Sequence, residues 1–122
     1  MRHLNTPSFA LSRQSLRDAM VRAGWHPSAT FDAELALGEL LVNAWKHADT
    51  PAPVTQILFL HNTLRVSVSD ESPKFPAPQA PDPLATSGRG LQLVAGLTHR
   101  WGVDPQERGK CIWFECDLDG AA

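Results

Sequence analysis

The order of hydrophobic periods predicts an α+β domain, with helices layered on one face of a mainly antiparallel sheet. Three observations predict it. Two stretches with helical spacing come first, two alternating apolar runs around a polar turn follow, and a glycine-led helix precedes a last pair of strands. With 122 residues the chain can build one hydrophobic core, so a single domain over residues 1–122 is expected.

Each element has a local reason. After an extended start around Pro7–Leu11, Ser12 reads as an N-cap, and "SRQSLRDAMVRAG" sets Leu16, Ala19, Met20 and Ala23 on one helical face, with Gly24 as the stop. A second helix is expected from Ser28 or Thr30 through "FDAELALGELLVNAWKHA" until "DTPAP" ends it, since proline cannot continue a helix. "VTQILFLH" and "LRVSVSD" then flank Asn62-Thr63 as a hairpin. Residues Glu71–Thr86 hold five of the chain's ten prolines without any period, which marks a functional lid or mobile loop. "SGRGLQLVAGLTHR" opens a third amphipathic helix, and "RWGV", "DPQERG" and "KCIWFECDL" read as strand, turn and strand.

Composition narrows the class. A net charge of −2 gives no global field for nucleic acid or an anionic membrane. No apolar run approaches the ~18 residues of a membrane span. "MRHLNTPSFALSR" lacks the apolar core of a secretory signal, so a cytoplasmic location is expected. Cys111 and Cys116 lie in one expected strand, roughly 16 Å apart at ~3.3 Å per residue, too far for a disulfide. Their spacing without a nearby His is also poor for zinc.

The polar residues of "ELLVNAWKHA" carry the chemistry. On a helix Glu39 and Asn43 share a face with Lys46 or His47, while Leu37, Leu40, Leu41 and Ala44 occupy other faces. Such groups must meet water, a ligand or each other. A solvent-facing stripe with a Glu39–Asn43 or Glu39–Lys46 contact is one reading. A carboxylate base beside a metal-binding carboxamide, with Lys46 near phosphate oxygens, is the other. In "LRVSVSD" the period of two puts Asp70 on the face of Leu64, Val66 and Val68, where it could accept from an adenine amino group or cap the turn. "SGRGLQLV" is a Gly-x-Gly turn into a helix start, a place where backbone N–H groups bind phosphate.

Taken together, E-x3-N-A-x2-H-A at Glu39–Ala48, V-S-D at Val68–Asp70 and S-G-R-G-L-x-L-V at Ser87–Val94 resemble the N, G1 and G2 boxes of the GHKL ATPases, in order and spacing from about Arg13 to Leu118. The short form with a proline-bearing lid, about 71–87, is most similar to the serine-kinase anti-sigma factors. The resemblance implies the Bergerat fold, a two-layer sandwich of a mixed, mainly antiparallel sheet with helices on one face. It implies ATP and Mg²⁺ as cofactors, and a sigma factor and an anti-sigma antagonist protein as partners, the antagonist being phosphorylated on Ser or Thr. By position, Glu39 would orient or deprotonate the attacking hydroxyl, and Asn43 would bind Mg²⁺. Lys46 and His47 would lie near the phosphates, and Asp70 would bond the adenine amino group. Gly88, Arg89, Gly90 and Leu91 would bring backbone amides to the phosphates.

Two departures from the family pattern predict weaker ATP binding. The D-x-G-x-G of relatives is here Asp70-Glu71-Ser72-Pro73-Lys74; Ser72 can still hydrogen-bond, but both glycines are gone. The strand that often supplies a threonine hydroxyl near adenine reads Gly109-Lys110-Cys111, placing a thiol, a poorer partner, at that position. The alternative is therefore a non-catalytic binding module of the same fold. A detached histidine-kinase catalytic domain fits less well, because the lid is short and no dimerising His-bearing helix is present. Large apolar residues on both faces of "VTQILFLH", and Trp113 opposite the apolar face of the last strand, predict a partner or homodimer surface on the sheet.

Overall fold

The computed structural model describes residues 5–47, 53–70 and 90–118, apart from the side chains of 5–8, 46, 47 and 90. Helix α1, Asn5–Arg22, starts well before Ser12, so the extended segment expected at Pro7–Leu11 is helical. Pro7 falls in the first turn, where backbone N–H groups have no acceptor inside the helix and a missing one costs nothing. Phe9 anchors the added turns, packing on the core and meeting the Trp45 ring edge-on at 6.1 Å.

Gly24 ends α1 as its position predicted. At φ +84° it lets Trp25 N–H donate to Met20 O (3.0 Å) and its own N–H donate to Val21 O (3.1 Å). These two bonds form a Schellman cap, and the left-handed backbone it needs suits glycine. The reversal delivers Trp25 into the core, 7% exposed.

Helix α2, Pro27–His47, begins one residue before the expected Ser28. His26 caps it: ring Nδ1 accepts from Ser28 N–H at 3.1 Å, and Pro27 takes the first helical position, where no N–H is required. Ala33, Ala36, Leu37, Leu40, Leu41 and Ala44 recur at helical spacing and are all buried, which presses α2 against the sheet and both other helices. Arg17 on α1 reaches across to Glu34 in a two-point contact of 2.7 and 2.9 Å.

The strands are β1 Val54–Leu60, β2 Thr63–Asp70, β3 Arg100–Pro105 and β4 Lys110–Asp117; the third helix, α3, is Gly90–Leu97. The sheet order is β1-β2-β4-β3 and every described pairing is antiparallel. The first hairpin turns one residue earlier than expected: Leu60 pairs with Thr63, so His61 and Asn62 form the turn, His61 taking φ +55°. The second hairpin keeps Asp104 and Pro105 in strand, because Pro105 still pairs with Lys110.

Register fixes two unlike faces. The inner face stacks Ile57, Val66, Phe114 and Trp101 in one row and Thr55, Val68, Ile112 and Val103 in the next, under α2 and α3. The outer face has no helix among the described residues. Its middle is an ionic lattice: Arg65 meets Glu115 at 3.0 Å, Arg100 meets Glu115 at 2.8 Å and Asp117 at 3.0 Å, and Thr63 donates to Asp117 at 2.9 Å. The Arg65 guanidinium also lies 4.2 Å from the centre of the Trp113 ring. Trp113 in turn lies flat on Gly102, where an added Cβ would stand 2.6 Å from the indole. Polar groups thus occupy much of the face where a helix-free sheet needs them, although Val54, Leu58 and Leu60 of β1 stay exposed.

This lattice gives a pH prediction. Hydrogen bonding to Arg100, then to Thr63, holds the Asp117 carboxyl down at about 2, from 3.8. A depressed carboxyl contributes stability that is present above its unfolded value and lost as pH falls through its folded value. The wild-type domain is expected to lose stability between pH 3.8 and about 2, and Asp117→Asn to show a shallower acid limb. Urea midpoints measured across that interval check it; parallel curves for the two proteins would contradict it.

Candidate functional site

A small cavity of about 190 Å³ orients the elements. Ser28, Ala29 and Asp32 at the start of α2 line it with Leu97 at the end of α3, His99, and Cys116 and Asp117 at the end of β4. Followed away from that cavity, α2 leads to Glu39 and Asn43, α3 leads back to its N-terminus at Gly90, and β4 leads back to Lys110, which pairs with Asp70. The described residues expected to hold a nucleotide therefore lie away from the same end of the domain.

Glu39 and Asn43 stand one turn apart on α2 and both are half-buried. Neither makes a side-chain hydrogen bond or ion pair with a described residue, so the Glu39–Asn43 contact expected of a solvent-facing stripe is not formed. Lys46 and His47 occupy the last two positions of α2. Gly90 and Leu91 open α3, where their backbone N–H groups are among the four that a helix leaves without internal acceptors. The Leu91 side chain packs on the core and fixes that helix start against the domain. Ser72, Gly88, Arg89 and the proline-rich segment lie outside the described residues.

Among the described residues no group of three or more His, Cys, Asp or Glu could hold a metal. The donor set at Asn43 nevertheless fits Mg²⁺, a hard cation that takes oxygen ligands and completes its shell with substrate phosphates and water.

The base end differs from expectation. Asp70 lies on the inner face as the strand parity predicted, 4% exposed. Its register partner on β4 is Lys110, also 4% exposed, and the ammonium sits 3.0 Å from both carboxylate oxygens. Cys111, expected near the base, pairs with Ser69 and Asp104 on the outer face. Strand period two turns its thiol away from Asp70, so that expectation is corrected: Lys110 is the β4 side chain beside the carboxylate. The sequence held the signal. Counting back by twos from Phe114 and Ile112 reaches Lys110, the same parity that placed Asp70.

Both cysteines are free and buried, on opposite faces of β4. Burial pushes the Cys116 thiol up to about 11, which keeps it protonated and unreactive.

A histidine kinase-like ATPase domain matches residues 5–116, and the chain belongs to that family. The fold is similar to that of the RsbU and RsbW domains of Rv1364c from Mycobacterium tuberculosis, with a TM-score of 0.68 at 19% identity over 91% of this chain and 29% of that one. It is also similar to the histidine kinase domain of the Erythrobacter litoralis EL346 blue-light activated histidine kinase, with a TM-score of 0.55 at 21% identity over 75% of this chain and 46% of that one. This chain thus spans under half the length of either structure. No curated protein matches the chain. No helix among the described residues is long and apolar enough to cross a membrane.

Proposed function

We propose that this domain is a cytoplasmic ATP-dependent regulatory kinase that binds a sigma factor and phosphorylates a serine or threonine of an anti-sigma antagonist protein. The observation that carries the reading is the Glu39–Asn43 pair, half-buried one turn apart on α2 and making no hydrogen bond or ion pair with a described residue. Support comes from membership of the histidine kinase-like ATPase family, the three sequence boxes, and the fold likeness to the RsbU and RsbW domains.

In this reading the γ-phosphoryl group passes from ATP to the antagonist hydroxyl. The bond from the γ-phosphorus to the bridging oxygen breaks, a new P–O bond forms, and ADP leaves. Glu39 orients the hydroxyl and accepts its proton, a contribution that for positioned acid–base groups is about 10²–10⁴-fold. Mg²⁺ held by Asn43 would supply charge neutralisation across the phosphates. Backbone N–H groups at the start of α3 bind phosphate oxygens, and Lys46 and His47 lie toward them. Asp70 accepts from the adenine amino group. The exposed apolar residues of β1 are the part of the sheet most suited to a protein partner or a second copy.

A second reading has its own observation. Asp70 is already ion-paired to Lys110, which favours a binding module of the same fold that takes nucleotide weakly. Incubation with labelled ATP, Mg²⁺ and a candidate antagonist separates the two readings: label on the antagonist supports the kinase, and partner binding without label supports the module. Asn43→Ala is expected to weaken Mg-ATP binding by about tenfold or more, while leaving metal-free ATP binding nearly unchanged. Calorimetry with and without Mg²⁺ checks it; equal loss in both conditions would remove Asn43 from the metal.

A further inference from the structure

We propose that Lys110 is a built-in competitor for the base-recognition carboxylate, so that nucleotide enters this site by displacing an ammonium group from Asp70. The inference rests on the assignment of Asp70 to the adenine amino group and adds the regulation of that contact.

The pair is a product of the sheet itself. Asp70 and Lys110 face each other in register on the two central strands, both on the inner face. The Lys110 Nζ reaches Asp70 Oδ1 and Oδ2 at 3.0 Å each, with the side chains 5% and 2% exposed. One ammonium therefore sits between both oxygens of the carboxylate. A base amino group is also a donor and seeks those same oxygens.

The exchange is unequal. A hydrogen bond from a charged donor to a carboxylate is roughly twice as strong as one from a neutral amine, and in a buried setting little water screens the difference. The base amino group therefore replaces a stronger contact with a weaker one, and the site favours its self-paired state. The phosphate end carries no such lock among the described residues, since neither Glu39 nor Asn43 is ion-paired there. Low affinity then originates at the base end, from Lys110, and not from the thiol of Cys111 on the other face of the sheet.

Two probes divide the site. Adenosine carries the base without phosphates, and inorganic tripolyphosphate carries phosphates without the base. By calorimetry on the full chain, Lys110→Thr is expected to raise adenosine affinity by at least about tenfold and to leave tripolyphosphate within about threefold. Lys110→Arg keeps a charged donor and is expected to keep adenosine binding weak. If Lys110→Thr does not fold once the buried carboxylate loses its ammonium, Lys110→Gln replaces the ion pair by a neutral donor and is expected to show the same gain in smaller measure.

Asp70→Asn combined with Lys110→Thr separates the two ways to be wrong. Loss of the gain in the double variant supports the competitor. Equal adenosine affinity in wild type and Lys110→Thr, with dependence on Asp70 in both, overturns the competitor and leaves the Asp70 assignment standing. Adenosine binding indifferent to Asp70, or absent from every variant, overturns the assignment and the competitor with it.

Discussion

Glu39→Ala is expected to lower phosphoryl transfer by at least about 100-fold while Mg-ATP affinity stays within about threefold. The reason is the division of labour proposed along α2. Asn43 is the oxygen donor suited to the metal, and Glu39, one turn earlier, is the only proposed proton acceptor on that face. Removing a group that acts on the hydroxyl lowers the rate of the chemical step, whereas removing a group that binds the cation changes affinity. The side chain is half-buried and makes no hydrogen bond or ion pair with a described residue, so its loss breaks no such bond. Single-turnover transfer to the antagonist, paired with ATP calorimetry, reads the two quantities separately. Normal transfer by the variant would place the base elsewhere.

Phe114→Ala is expected to cost about 3–5 kcal/mol, the largest single loss of stability in the domain. Phe114 is fully buried on β4 and lies across from Val66 on β2 and Trp101 on β3, beneath the helices. Truncation removes ring contacts in the middle of the sheet, where two strands and the overlying helices would all have to shift to fill the space. A total stability of 5–15 kcal/mol is usual for a domain, so the variant would retain little. Leu58→Ala on β1 is the control: Leu58 is 50% exposed, and its loss should stay within about 0.5 kcal/mol. Urea unfolding of both proteins gives the comparison, and equal midpoints would mean that the core is not centred on β4.

Much of this architecture was legible because period and burial agree. Leu64, Val66, Val68 and Asp70 alternate in the sequence and share the inner face, and the apolar stripe of α2 recurs at helical spacing and is buried. The start of α1 was not legible. Pro7 and Ser12 look like a strand followed by a cap, and among the described side chains of the first turns Phe9 alone packs on the core, too little to display a period. The turn of the first hairpin was misplaced because composition pointed to Asn62-Thr63, although His61, which takes φ +55°, is of a type that tolerates positive φ better than most residues with a side chain. Glu39 and Asn43 were singled out from spacing on one helix, and both do lie on α2, one turn apart. Lys110 was missed because strand parity gives its face but not its partner, and the register that sets it opposite Asp70, 40 residues away, is not a local pattern.

The position of β4 has a consequence for how the domain is made. It follows every other described strand and helix, yet it lies inside the sheet, between β2 and β3. Until it emerges from the ribosome, the inner face of β2 has no Phe114 or Ile112 beside it, and the backbone edge of β2 that β4 later pairs is open. Synthesis at about 5–20 residues per second leaves that edge uncovered for seconds while β3 and the second turn are still being added. The nascent chain is expected to need a holding chaperone over this interval, and stalled fragments that end before Lys110 should aggregate where the full chain does not.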